Sequence, residues 1–326
     1  MTYAATYWLK RPELLEPIAA GLVAGSSHRQ IARSLGCAPS TVTRLAARLG
    51  RHAILLHHAM LESLARQPVR EPVVFDDFEA FAHAQFFPFA AGTAVAQESG
   101  LVLDVDQAPH ARGGRLNRYE QKRRQELYDR FGPPPRGARR AAFKRILGRL
   151  LALAGLGELV LVSDAHTVYR QVVAGHPERK RIQHLRFANP ERGPKGAPRS
   201  EAATARDLAM FEVDQLHRLL RHSQAAHRRE TIAFGRRVGS LMERLFLFVV
   251  WRNLVKNRSE RRPRHGTSAM QAGITPARWT WRDVFRKRLF PWHAPSLPKA
   301  WRCIYRRKVR TPGTPPQKVH APRFVH

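Results

Sequence analysis

The sequence predicts an α/β protein: a mixed sheet flanked by helices, preceded by an all-helical N-terminal region. Three observations carry this. Residues 12 to 65 have helical periodicity throughout, residues 72 to 106 switch to short runs of β-branched and aromatic residues, and "ELVLVSDAHTVYRQVV" (158 to 173) reads as a buried strand leading straight into a helix. Hydrophobic residues make up 43% of the 326, enough for the core of two small domains or one large one.

Within the helical region, "HRQIARSLGCAPSTVTRLAARLG" (28 to 50) sets Ile31, Leu35, Val42, Leu45 and Leu49 at spacings that close a small core. Gly36 stands between the two periodic halves, where one helix ends and the chain must turn. Pro39 suits the first turn of the next helix, because the N–H it lacks would be unpaired there. This is a helix-turn-helix pattern. Ser40, Thr41 and Arg44, with Arg29 on the preceding helix, are the candidate contacts to bases or phosphates. An ordinary helical hairpin is the competing reading.

Next, "PVVFDDFEAF", "GTAVAQESG" and "LVLDVDQ" predict a three-strand meander broken at Gly92 and Gly100. A polar, basic insert runs from Pro109 to about Arg140, and "AAFKRILGRLLALAGLG" predicts a helix. "RIQHLRF" is one more strand, and two long helical patterns span 202 to 226 and 232 to 257.

Charge narrows the function. Lys and Arg number 57 against 25 Asp and Glu, a formal net charge of +32; so large an excess implies a polyanionic partner, with nucleic acid the default. From Arg228 to the end there are 24 Lys and Arg and four acids, so Arg228, Arg229, Arg236 and Arg237 are candidate phosphate contacts with steep salt dependence. Cys37 and Cys303 lie far apart, without companions at metal-ligand spacing, which supports neither a zinc site nor a disulfide framework. The opening residues lack a signal-peptide pattern, and the longest apolar run, "LFLFVV", is far short of the roughly 20 residues a membrane helix needs. A soluble cytoplasmic protein is expected.

The acids are few, and three have informative positions. Asp164 ends a hydrophobic strand just before a helix, the usual address for chemistry in α/β proteins. Asp76 lies in the first strand of the meander and Asp214 on a helix after the last strand. Acids from strand, strand and helix can converge on one edge of an RNase H-like sheet. Phosphodiester cleavage there uses two divalent cations about 3.5–4 Å apart, held by carboxylates.

At this point the chain resembles the DDE transposases of bacterial insertion sequences, particularly the group related to insertion sequence one, from about Lys10 to Arg258. "RQIARSLGCAPSTVTR" is similar to the family's helix-turn-helix, "FDDFEAF" to its strand with the first acid, and "SDAHTVY" to its strand with the second. "HRRETIAFGRRVGSLMERLFLFVVWRNLVKNRSER" is similar to its closing helical segment. The resemblance implies Asp76, Asp164 and Asp214 as catalytic ligands of two Mg²⁺ ions, with Mn²⁺ an alternative. It also implies double-stranded DNA as partner, at the element's ends and at the target, a homo-oligomer on DNA, and a nucleoid-associated bacterial protein. Three regions are then expected: 1–70 for helix-turn-helix binding, 71–258 for catalysis, and 259–326 as a basic extension. The family's N-terminal Cys-rich zinc ribbon has no counterpart in "MTYAATYWLKRPELL", and the alternative expectation is a catalytically inactive or truncated transposase-derived DNA-binding protein.

Several competing residues stay open. Alternation does not separate Asp76 from Asp77, since either parity has apolar neighbours; the family register favours Asp76. Glu212 and Glu230 are reserves for Asp214. Asp164 also suits a helix N-cap, and His166 is either a substrate-steering group or a simple hydrogen-bonding one. Asp104 and Asp106 share a face of the third strand, but their alternation with Leu103 and Val105 is also that of a half-solvated strand.

Overall fold

The computed structural model describes residues 2–315 apart from 66–67, 83, 192–193, 195, 197, 229–234 and 292–293. Three helices open the chain: α1 (Leu15–Val23), α2 (His28–Ser34) and α3 (Pro39–Leu64). Ser27 caps α2 reciprocally with Gln30, and Gly36, at a positive φ of 58°, turns the chain toward Pro39 at the start of α3. Ile31, Val42, Leu45 and Leu49 are buried as their spacing predicts, packed with Leu15, Ile18 and Leu22 of α1.

The strands are β1 (Val73–Phe81), β2 (Pro88–Ala96) and β3 (Val102–Pro109), followed by α4 (Arg118–Phe131) and α5 (Ala138–Leu153). Then come β4 (Leu159–Asp164), α6 (Thr167–Ala174), β5 (Ile182–Phe187), α7 (Glu201–Ala209), α8 (Phe211–Ser223) and α9 (Val238–Val250). Short helices α10 (Ser268–Gln271), α11 (Trp281–Arg286) and α12 (Lys299–Tyr305) complete the chain.

The five strands form one mixed sheet in the order β3-β2-β1-β4-β5. The first three make the expected antiparallel meander, and β4 and β5 extend it in parallel from β1. Strand alternation assigns the two faces. Phe75 meets Phe143 of α5 and Tyr169 of α6, whereas Phe78, one parity over, meets His217 of α8. Helices therefore cover both faces.

The second half of α3 continues past the N-terminal helices and packs on α9, and its buried His57 ring nitrogen lies 3.1 Å from the Leu103 carbonyl of β3. The N-terminal helices and the sheet share one hydrophobic core. Gly50 makes this crossing tight: a Cβ there would lie 2.5 Å from the Glu243 Cβ and 2.7 Å from its carbonyl oxygen. Although alanine is the better helix former, Gly50→Ala is expected to lower stability by about 1–3 kcal/mol through overpacking, read as a lower urea midpoint with an unchanged slope.

The region beyond Arg258 is built into the same core. Trp301 of α12 is fully buried, donates from its indole nitrogen to the Val105 carbonyl at 2.9 Å, and packs on His57 and Phe246. Among the described residues no helix is long and apolar enough to cross a membrane.

The structure departs from the sequence reading in three elements. The insert from Pro109 to Arg140 contains α4, closed at its start by a reciprocal Asn117–Glu120 capping box. The pattern at 202 to 226 is two helices, α7 and α8, parted at Met210. Lastly, β3 is not half-solvated: Asp104 and Asp106 are fully buried under α5. Arg149 grips Asp104 at 2.6 and 2.9 Å and reaches Asp106 at 3.0 Å, while Arg145 grips Asp106 at 2.8 and 2.9 Å. These two acids hold the sheet to a helix.

Candidate active site

The parallel register of β1 and β4 matches Val73 with Leu161, Val74 with Val162 and Phe75 with Ser163. One step further it sets Asp76 beside Asp164, on strands roughly 4.8 Å apart and pointing to the same face. That face is crossed by α8. Its residues Asp214, His217, Arg218 and Arg221, at spacings i, i+3, i+4 and i+7, occupy one stripe of the helix. All of them line, with Asp76 and Asp164, a cleft of about 520 Å³.

Electrostatics marks Asp76 as the centre of this group. Its burial, and behind that repulsion from Asp164 with smaller contributions from Asp77 and Asp214, pushes its carboxyl up to about 7, although the Asp77 backbone N–H donates to it at 2.8 Å. A carboxyl so placed gains from any cation that enters the cleft. Asp77 has other partners: the Tyr169 hydroxyl and Arg139 draw its pKa down, against a larger upward push from burial. Asp76 shares its face of the sheet with Asp164, whereas Asp77, which also lines the cleft, has the opposite parity and interacts with Arg139 and Tyr169.

A short chain of hydrogen bonds orients His217. The Thr93 hydroxyl donates to the Asp76 carbonyl oxygen at 3.0 Å, so at 2.8 Å it accepts from His217 Nε2–H. Burial lowers the His217 pKa to about 3, which keeps the ring neutral and leaves Nδ1 unprotonated, 3.7 Å from Asp76 Oδ2. His217 thus turns a lone pair toward the acids.

At the end of β4, Asp164 Oδ1 accepts the His166 backbone N–H at 3.0 Å, fixing the turn into α6. His166, not Asp164, is the N-cap: its Nδ1 accepts from the Val168 N–H at 3.2 Å. Asp214 lies in the cleft but is engaged by the Arg206 guanidinium. Of its reserves, Glu212 is buried in ion pairs with Arg258 and Arg252 and does not line the cleft, and Glu230 falls outside the described residues.

The three acids could hold a divalent cation by donor type, since hard cations take carboxylate oxygens. Among the described residues, however, no three His, Cys, Asp or Glu side chains are gathered as a ready ligand set.

The candidate DNA contacts are spread more widely. Arg29, Ser40 and Arg44 are exposed on α2 and the start of α3, and Thr41 is half-buried. Arg228 is exposed, but its guanidinium donates to the Arg221 and His222 carbonyls at 2.7 and 2.9 Å and so closes the end of α8. Arg229 lies outside the described residues; Arg236 is exposed and Arg237 half-buried before α9.

Sequence reading missed His217, Arg218 and Arg221. Their signal was present in "DQLHRLLR", because the helical spacing from Asp214 puts all three on the stripe of the acid. No protein-family model matches the chain, and none of the curated proteins compared with it matches.

Proposed function

We propose that this protein is a DDE-type transposase with an RNase H-like catalytic sheet. It would bind the terminal repeats of an insertion sequence and carry out metal-dependent strand cleavage and strand transfer. One observation carries the reading: Asp76, Asp164 and Asp214, from two neighbouring parallel strands and a later helix, line one cleft, where burial and carboxylate repulsion hold Asp76 near neutrality. A meander extended by two parallel strands is the sheet such a convergence requires.

Asp76, Asp164 and Asp214 would hold two Mg²⁺ or Mn²⁺ ions. When bound, such ions supply Lewis acidity toward a phosphodiester and lower the pKa of the attacking hydroxyl. The chain's own groups do the rest. Arg218 and Arg221, one and two helical turns beyond Asp214, present positive charge to the phosphate backbone at the mouth of the cleft. His217, locked by Thr93, offers an acceptor nitrogen beside Asp76. The α2–α3 unit would seat the duplex through Arg29, Ser40, Thr41 and Arg44, which accords with the +32 charge.

A second reading, a transposase-derived protein that binds DNA without cutting it, has one observation in its favour. Arg206 occupies the Asp214 carboxylate and must swing away before that oxygen could meet a cation. Incubation of supercoiled plasmid with the protein in Mg²⁺ or Mn²⁺ separates the two. Nicks with 3′-hydroxyl ends, lost on adding a chelator, are expected for the first; retarded but intact plasmid in both metals supports the second.

A further inference from the structure

A second depression, larger than the acid cleft, opens beside the β3 edge of the sheet. It encloses about 760 Å³ between the end of β3, the approach to α5 and the segment around α12. Its walls contain Arg136, Arg145, Lys299, Lys308 and Arg310, and no acidic side chain. The remaining lining is largely proline and small apolar residues, Pro133, Pro135 and Pro312 among them.

The five cations are not equivalent. Arg145 is committed to Asp106, and Arg310 donates to the Phe131 carbonyl at 2.7 Å. Arg136, Lys299 and Lys308 are exposed, and their side chains have no hydrogen-bond or ion-pair partner among the described residues. Three unpaired cations around one apolar-walled depression repel one another, so the arrangement favours an anion that spans them. The depression borders the acid cleft across the start of α5. Ala138 and Ala141 of α5 line it, while Arg139, between them in sequence, lines the acid cleft. The first turn of α5 divides the two.

We infer that this groove is a nucleic-acid backbone channel: Arg136, Lys299 and Lys308 each contact a phosphate of the DNA strand that passes over the first turn of α5 to or from the acid cleft. The prolines supply flat apolar surface for deoxyribose. The occupant is a phosphodiester chain rather than a small anion because the cations come from separate segments, Arg136 before α5, Lys299 at the start of α12 and Lys308 beyond its end, and line a depression of about 760 Å³, far larger than one phosphate. This inference rests on the DNA-processing reading and adds to it a path for the strand outside the α2–α3 unit.

The test compares two variants of equal charge. R136A/K299A/K308A removes the groove cations, and R170A/R179A/K180A removes three exposed cations that line neither depression. The dependence of DNA affinity on salt is measured for each, with melting curves confirming that both are folded. The groove variant is expected to lose about 2.7 from the slope of log K against log salt, at ~0.9 per phosphate contact, and the control less than about 1. Alkylation of Cys303, which lines the groove, in a Cys37→Ser background supplies a second readout, with protection by DNA expected. Equal slopes for the two variants, or unprotected Cys303 in a DNA-bound protein, overturn the channel while leaving the DNA-binding reading intact. Absence of DNA binding by the wild type would remove both.

Discussion

Asp76→Asn is expected to make the protein more stable and to weaken the proposed metal-dependent cleavage, two effects of opposite sign from one substitution. In the folded chain the Asp76 carboxyl titrates near 7 against an ordinary value of 3.8, chiefly because it is buried and secondarily because Asp164 repels it. A carboxyl raised in this way contributes stability that is fully present below its unfolded pKa and lost as pH climbs through the folded value. The window therefore runs from about pH 4 to about pH 7. Asparagine has no charge to bury, so the variant should match the wild type at pH 4 and exceed it by roughly 4 kcal/mol at pH 8, about three pKa units at ~1.4 kcal/mol each. Mg²⁺ should narrow the gap at pH 8: wild type gains about 2.7 kcal/mol at a hundredfold excess over its dissociation constant, and the variant gains little. Cleavage should fall on the order of 10³-fold, the cost of removing one preorganised charge from such a centre. Melting curves at the two pH values, with and without Mg²⁺, contain the whole prediction.

Arg149→Leu is expected to cost about 3–5 kcal/mol, the penalty for leaving a buried carboxylate without its partner, out of a total stability of roughly 5–15 kcal/mol. Asp104 and Asp106 have fully buried side chains, and Arg149 bridges them while its guanidinium stacks 5.2 Å above the Trp301 ring. Burial already pushes Asp104 up to about 6 with Arg149 in place to oppose it. Without the arginine the push is larger, and the folded state prefers the protonated acid over a wider range. Since the folded pKa is raised, the missing stability is greatest above that pKa and partly restored below it. Urea unfolding should show the variant far weaker at pH 7.5 and closer to wild type at pH 4.5. An Arg149→Leu protein as stable as the wild type at pH 7.5 would mean that the pairs do not secure the sheet to α5.

These two sites also show what was legible in the sequence. The order of strands and helices could be read because periodicity is local: Val42, Leu45 and Leu49 declare a helix face, and "ELVLVSD" declares a buried strand that delivers an acid to its end. Asp164 was found on that signal. Asp104 and Asp106 were misread because alternation looks the same whether the second face meets water or arginines, and Arg145 and Arg149 stand about forty residues downstream. The helix α4 escaped notice for a related reason: its residues are polar nearly all round, with Leu127 its one buried residue, so only its capping box announced it. The register of β1 on β4, which sets Asp76 and not Asp77 on the face of Asp164, is a tertiary fact that no local pattern contains. Trp301 is the same kind of case, an aromatic near the end of the chain whose burial depends on β3 and α3 meeting it.

The account rests on the cleft that Asp76, Asp164 and Asp214 line being the place where DNA is cut. The most direct test incubates the protein with a DNA fragment covering the sequences on either side of its own gene, in Mg²⁺ or Mn²⁺, alongside Asp164→Ala. Asp164 sits at the tip of β4, where its carboxylate faces the cleft and its removal leaves the core untouched. The account predicts metal-dependent cutting by the wild type, none by the variant, and equal DNA binding by both. Cutting that persists in Asp164→Ala, or a wild type that binds the fragment and never cuts it in either metal, would contradict it.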